Sequence, residues 1–193
     1  MHDTFKNAND AFHDLYWRIV RDGVDFAGTK ALFNVGFEME VPNANAILDR
    51  KVKRNWSYDY AEAEWKWRMA DCNGNVNSNY GWQWQRQNQI GYVINMLKKN
   101  PDTRQAAISI YDCKEWSKYK NDTPCTYAVQ FTVVDNKLNM CVVMRSNDLW
   151  YGFCNDQYQF SNLQMLVAKG SGYEMGTYYH FAHNLHLYND KLP

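Results

Sequence analysis

The sequence predicts an α/β fold: one mixed, largely antiparallel sheet with helices packed against it, in a single domain spanning residues 1–193. Three observations predict it. Apolar residues alternate with period two in two separated stretches, near residues 33–41 and 129–145, the mark of half-buried strands. Elsewhere they recur at helical spacing, as in Ile90, Val93, Ile94 and Leu97. The chain is long enough for one real core, and no internal repeat or low-complexity linker divides it.

The elements follow in order. Phe12, Leu15, Tyr16, Ile19 and Val20 share one helical face, and Asp22-Gly23 closes that helix. Phe33, Val35, Phe37, Met39 and Val41 alternate with Asn34, Gly36, Glu38 and Glu40 as a strand ending at Pro42. Residues 25–30, DFAGTK, join the two as a loop. Residues 59–69 are helical by propensity and very polar, with Glu62 and Glu64 readable as solvated carboxylates. Residues 71–79, rich in Asn and Gly, read as a loop leading to Tyr80-Gly81-Trp82-Gln83-Trp84. The helix containing Ile90 to Leu97 ends at Lys98-Lys99-Asn100-Pro101, and residues 107–111 form a short strand. After the hairpin at residues 129–145, a helix over residues 155–169 carries Phe160, Leu163, Leu166 and Val167 on its apolar face. Residues 178–188 make a final strand.

Composition narrows the function. Lys and Arg number 21 and Asp and Glu 21, which argues against a duplex-binding protein resting on a basic surface. The five Cys show neither metal spacing nor a CxxC pair, and an odd number without a framework fits a reducing compartment. No apolar run is long enough to span a bilayer. Met1-His2-Asp3 does not look like a signal peptide, so a cytoplasmic location is expected.

The hairpin carries the chemistry. Val129, Phe131 and Val133 alternate with Gln130, Thr132 and Val134, and Asp135-Asn136 is turn chemistry. Leu138 to Arg145 returns. A two-residue turn pairs Val134 with Lys137 and Cys125 with Ser146; a three-residue turn pairs Cys125 with Asn147. Either brings the Cys125 thiol within a residue or two of Arg145. An adjacent cation lowers a thiol pKa and raises its thiolate fraction. The other reading makes Cys125 a small core residue and Arg145 a solvated strand end, since free cysteine is commonly buried and inert.

Pro124-Cys125, Gln130-Phe131, Val133-Val134-Asp135, Lys137-Leu138 and Arg145-Ser146-Asn147-Asp148-Leu149 with Gly152 form a long ordered block. It resembles the thymidylate synthase family of pyrimidine-nucleotide methylases and hydroxymethylases. The resemblance implies a thymidylate synthase-like fold and a homodimer formed sheet against sheet. It implies Cys125 as nucleophile, with Arg145 and Ser146 holding the nucleotide. Glu62-Ala63-Glu64-Trp65 is similar to the family's Glu-x-x-Trp helix, whose Glu orders water and moves protons; matching the Trp selects Glu62, with Glu64 next. Tyr80-Gly81-Trp82-Gln83-Trp84 is similar to the family's Tyr-Gly-x-x-Trp segment. That places Tyr80 with Asp148 and Gly152 among the contacts to 5,10-methylenetetrahydrofolate, and leaves Trp82 and Trp84 as either stacking surfaces or core. Residues 100–105, NPDTRQ, resemble a turn whose arginines reach the partner's nucleotide phosphate, here Arg104. His186-Leu187-Tyr188 matches the His-x-Tyr that hydrogen-bonds the sugar 3′-hydroxyl.

The departures from the family are as informative. Phe26 aligns with a phosphate-gripping Arg, for which Lys30 and Arg21 are the nearby substitutes, and Gln105 replaces a second arginine. Most of the insert with folate-contacting tryptophans, and the family's C-terminal region, are missing from the sequence. Counted from Arg145-Ser146, the uracil-reading Asn aligns with Asp156, with Asn155 one residue earlier. An amide matches uracil N3–H and O4; cytosine reverses that pattern, and a carboxyl accepts from N4. Asp here is the departure shown by the family's deoxycytidylate hydroxymethylases. The expected activity is therefore one-carbon transfer to C5 of dCMP through a Cys125–C6 adduct. Water then gives hydroxymethyl, in nucleotide supply of the kind used for bacteriophage DNA modification. Methylation of dCMP or dUMP, and nucleotide binding without turnover, are the alternatives.

Overall fold

A computed structural model describes residues 3–40, 48–49, 54–70, 80–114 and 123–193. The loop expected over residues 71–79, and the strand end at Val41 and Pro42, lie outside them.

Helix α1 (Ala8–Asp22) starts where Asn7 caps it, its side chain accepting from the Asn9 and Asp10 amides at 2.9 and 3.1 Å. It buries Phe12, Leu15, Tyr16 and Ile19, the face that the spacing predicts. It ends at Gly23, whose amide donates to the Ile19 carbonyl at 2.9 Å. Residues 25–30 are not a plain loop. They form a hairpin, β2 (Val24–Phe26) with β3 (Thr29–Met39), pairing Asp25 with Lys30 and Phe26 with Thr29. Its two turn residues, Ala27 and Gly28, take φ of 50° and 78°. Left-handed backbone at both positions matches the twist of the flanking strands.

The main sheet runs β1-β3-β10-β8-β7-β6, with β2 on β3 and β9 on β10. Strand β10 (Glu174–Tyr188) is its axis. It pairs antiparallel with β3, from Tyr178↔Met39 to Tyr188↔Thr29, and parallel with β8 (Lys137–Met144). Beyond β8 come β7 (Thr126–Val134) and β6 (Ala107–Ser109), both antiparallel to their neighbours. Strand β1 (Asp3–Phe5) is parallel to β3, which makes the sheet mixed as predicted. Past Arg145-Ser146 the chain rejoins β10 as β9 (Asn147–Asp148). The break between β8 and β9 is where the site forms. Strands β4 (Leu48–Asp49) and β5 (Arg54–Asn55) pair separately.

Helices α1, α2 (Tyr58–Ala70), α3 (Tyr80–Gln85), α4 (Gln89–Lys99) and α5 (Cys154–Ser171) accompany the sheet. The core joins Phe12, Leu15, Phe37, Phe131, Val142, Phe160 and Tyr178, each worth roughly 1.5–3 kcal/mol when fully buried. The other sheet face leaves Cys141, Val143, Tyr179 and Phe181 half-buried, paired across strands as Tyr179↔Cys141 and Phe181↔Val143.

Helices α2 and α3 touch through backbone at Gly81. A Cβ there would lie 1.7 Å from the Arg68 carbonyl oxygen and 2.4 Å from its carbon, and backbone cannot yield as a side chain can. Gly81→Ala is expected to cost on the order of 3 kcal/mol, read as a lowered urea midpoint. An unchanged midpoint would show that α3 does not pack on α2 in this way.

Candidate active site

The β7–β8 turn is the two-residue one: Val134 pairs with Lys137, and Asp135 and Asn136 take φ of 50° and 62°. Extrapolated, that register puts Cys125 opposite Ser146. The structure differs, because the register shifts by one between Ala128↔Val143 and Thr126↔Met144. This bulge at Tyr127 re-aims the end of the strand and sets Cys125 against Arg145, whose amide donates to the Cys125 carbonyl at 2.8 Å. The Arg145 guanidinium donates to the Pro124 and Thr123 carbonyls at 3.1 and 2.7 Å. It thereby fixes the chain that leads into the thiol.

A half-open pocket of about 440 Å³ lies at this break. Cys125, Arg145, Ser146, Asp148, Gly152, Asp156, His186, Tyr188 and Tyr80 all line it. The sequence scattered these residues over more than a hundred positions. Two further residues line it that the sequence assigns no role, Arg68 and, within the block from Arg145 to Leu149, Asn147. Arg104 lies elsewhere, in a shallow hollow with Asn100, Asp102, Thr103 and Gln105.

Asp156 enters from the first turn of α5 and is buried. Burial pushes its carboxyl up to about 7; the Arg68 charge and the Asn147 bond pull it down, while Glu64 and Asp148 reinforce the rise. Asn147 Nδ2 donates to Asp156 Oδ2 at 2.9 Å. Asn147 Oδ1 must then accept, and at 3.1 Å it meets His180 Nε2. His180 is buried and neutral, its pKa pushed down to about 3. With the hydrogen on Nε2, its Nδ1 accepts from the Tyr178 hydroxyl at 3.1 Å. An ionised carboxylate only accepts, so with Asp156 charged the chain Tyr178–His180–Asn147–Asp156 runs in one direction.

The thymidylate synthase family model matches residues 36–193. The chain belongs to the thymidylate synthase family. A thymidylate synthase of Fusobacterium nucleatum is 39% identical over 108 residues, covering 54% of this chain and 39% of that protein. One of Streptococcus pyogenes is 30% identical over 107 residues, covering 53% and 38%. These matches span about two-fifths of the length of the curated relatives. The thermostable thymidylate synthase A of Bacillus subtilis superposes with a TM-score of 0.76 at 20% identity, over 94% of this chain and 80% of that one. This confirms the fold.

Set in the thymidylate synthase fold, several expected residues stand differently. Glu62 does not line the pocket: Tyr158 donates to its Oε2 and Lys66 pairs with it at 3.2 Å. The tyrosine, then the lysine, hold its carboxyl below the ordinary range. The reason is helical phase. Ala61, Glu64 and Arg68, at i, i+3 and i+7, face inward, and Glu62 is turned about 100° away. Glu64, the second choice, binds Arg68 at 2.6 Å. Asn155 accepts from Trp56 Nε1 at 2.8 Å and lies outside the pocket lining. Trp84 is fully buried against Trp65, Tyr80 and Phe160, so it is core and not a stacking surface. Phe26 packs edge-on against Phe33 at 5.5 Å. Neither proposed substitute reaches the pocket: Arg21 pairs with Asp22 at 2.7 Å, and Lys30 donates to the Val20 carbonyl at 2.7 Å.

His186 Nδ1 donates to Asn184 Oδ1 at 2.9 Å, which leaves Nε2 as an acceptor. Burial lowers its pKa. Asp148 caps the turn of Leu149–Phe153, accepting from the Trp150 and Tyr151 amides at 2.9 and 3.0 Å. Among the described residues no His/Cys/Asp/Glu group fits a metal ion, and no helix is long and apolar enough to cross a membrane.

The buried carboxyl gives a stability signature. Its folded pKa of about 7 exceeds the unfolded value, so its contribution is complete below about pH 4 and is lost as pH rises through about 7. Asp156→Asn has no such loss. Its stability relative to the parent is expected to grow by about 2–3 kcal/mol between pH 5 and pH 8, then level off. Denaturant titrations at these pH values measure it. A constant difference would mean that Asp156 is ionised throughout.

Proposed function

We propose that this chain transfers a one-carbon unit to C5 of a pyrimidine deoxynucleoside monophosphate, with dCMP as substrate and the hydroxymethyl nucleotide as product. The observation that carries this reading is the joint presence of Cys125 and Asp156 in one pocket. Its volume suits a ligand of nucleotide size.

The Cys125 thiolate adds to C6, which makes C5 an enamine-like nucleophile. Arg145, pinned by two carbonyls, holds positive charge beside the thiol and the nucleotide phosphate, with Ser146 next to it. His186 Nε2 accepts from the sugar hydroxyl, with Tyr188 alongside. Asp156 accepts from the cytosine 4-amino group. A carboxylate facing O4 of uracil would leave that acceptor unpaired.

The family implies 5,10-methylenetetrahydrofolate, and the residues fit it. Gly152 keeps the pocket floor clear: a Cβ there would lie 3.0 Å from Asn147 Nδ2 and 3.5 Å from Asp156 Oδ2. Asp148 beside it keeps further acceptor capacity after capping its turn. When bound, the folate supplies the one-carbon unit. Asp148, Gly152 and Tyr80 would hold it. Glu64, joined to the pocket through Arg68, is better placed than Glu62 to influence proton positions.

The half-buried apolar face around Tyr179, Phe181 and Val143 suits a homodimer formed sheet against sheet. Arg104, outside its own pocket, would then serve the partner's phosphate. Arg104→Ala is expected to weaken nucleotide binding by roughly 10- to 100-fold, as for a charged hydrogen bond, with the melting temperature unchanged. A monomer that binds nucleotide at full affinity in sedimentation would exclude this arrangement.

The names of the relatives favour a second reading, methylation of dUMP. Incubation with dCMP or dUMP and methylenetetrahydrofolate, followed by mass spectrometry, decides. Gain of CH₂O is hydroxymethylation, gain of CH₂ is methylation, and binding without mass change means no turnover.

A further inference from the structure

The pocket is lined by a buried cation that has no contact with substrate in the reaction proposed for it. Arg68 is 7% exposed. Its Nη2 donates to Glu64 Oε1 at 2.6 Å and its Nε to the same oxygen at 3.3 Å. Gln159 Nε2 donates to the other Glu64 oxygen at 3.2 Å and to the Ala61 carbonyl at 3.0 Å, which locks that carboxylate to α5. The Tyr80 ring lies under the guanidinium, 4.7 Å from its carbon. The plane of the guanidinium is therefore fixed on two sides. The remaining corner, Nη1, is buried and meets no hydrogen-bond partner among the described residues. A buried charged donor left unsatisfied is costly, and Arg68 lines the pocket together with Asp156.

We propose that Arg68 reads the base: Nη1 donates to ring nitrogen N3 of a cytosine whose 4-amino group sits on Asp156. The inference rests on the nucleotide reading above and adds a specificity residue to it. An arginine has donors only, so its partner must bring an acceptor. Cytosine presents a donor, N4–H, directly beside an acceptor, N3. A carboxylate next to a guanidinium is the complement of that pair. Asp156 alone satisfies both atoms only when protonated, whereas Arg68, which carries donors only, supplies the second hydrogen bond whatever the state of Asp156. Glu64 and Gln159 from behind, and Tyr80 from below, hold the donor in place before substrate arrives, which limits the ordering cost on binding.

The test is a binding cycle by calorimetry, using wild type, Arg68→Gln and Arg68→Lys. The ligands are dCMP, its 3-deaza analogue with C–H in place of N3, and 2-deoxyribose 5-phosphate as a reference without a base. Wild type should lose on the order of 10- to 100-fold in affinity from dCMP to the 3-deaza analogue. Arg68→Gln should bind dCMP more weakly by a similar factor, no longer distinguish the two nucleotides, and bind the baseless phosphate like wild type. Equal wild-type affinity for both nucleotides overturns the proposal, as does a full wild-type ratio in Arg68→Gln or an equal loss for all three ligands. Should Arg68→Gln fail to fold, the wild-type ratio and Arg68→Lys, which keeps charge without the fork, still decide. A wild type that binds neither nucleotide defeats the nucleotide reading itself. One that prefers dUMP defeats the choice of cytosine, and with it N3 as the acceptor.

Discussion

Cys125→Ser should yield no detectable product while binding dCMP at near-parental affinity, a fall in turnover on the order of 10⁴-fold or more. The bulge at Tyr127 sets Cys125 opposite Arg145 instead of Ser146. The thiol and the guanidinium line the same pocket, and two carbonyls fix the position of the cation. A serine hydroxyl in the same place is far less ionised than a thiol and cannot supply the nucleophile. The other described cysteines are unsuited to the role. Cys154 is buried, its thiol pushed up to about 12, and it faces the Leu149 carbonyl. Burial also raises the Cys141 thiol, which lies on the opposite sheet face, and Cys113 is exposed and outside the pocket lining. Cys141→Ser should therefore keep turnover within a few-fold. Mass spectrometry of the nucleotide, with binding measured in parallel, reads both variants. Near-parental turnover in Cys125→Ser would make Cys125 a core residue and remove the covalent step.

Local signals made most of the framework legible. The spacing of Ile90, Val93, Ile94 and Leu97 falls inside α4, the alternation from Phe33 falls inside β3, and Asp135-Asn136 forms the predicted turn. What escaped depends on distant contacts. A bulge adds one residue without disturbing the visible alternation, so nothing at Tyr127 announces that Cys125 has moved. The β2–β3 hairpin requires Ala27 in the left-handed region, a conformation its side chain does not advertise. Arg68 looks like one more polar residue on a polar helix. Its burial comes from α3 closing over α2 at Gly81, which no period within α2 encodes. His180 and Asn147 join Asp156 from β10 and β9, 33 and 9 residues apart in the two hydrogen bonds. Asp156 is reached only by counting along the family motif, and that count does not separate it from Asn155. The bond from Trp56 to Asn155 makes that separation in space.

Asp156→Asn should move base preference toward dUMP by one to two decades in relative efficiency. In the parent, Asn147 Nδ2 donates to Asp156 Oδ2, and the other carboxyl oxygen remains for the 4-position of the base. Ionised, it accepts N4–H of cytosine and opposes O4 of uracil. In the variant, an amide that keeps its oxygen on Asn147 turns its NH₂ toward the base and donates to O4. The gain should therefore appear mainly as improved use of dUMP. Cytosine stays usable, since the variant's neutral amide can reverse, and the chain through Asn147 and His180 can reverse with it. The parent should also show a pH dependence that the variant lacks. With its carboxyl at about 7, ionisation grows as pH rises through that value, so the parent should discriminate against dUMP more strongly at pH 8 than at pH 6. Direct competition between the two nucleotides at both pH values measures this. A parent that prefers dUMP, with a ratio that Asp156→Asn leaves unmoved, would show that the carboxyl does not face the base.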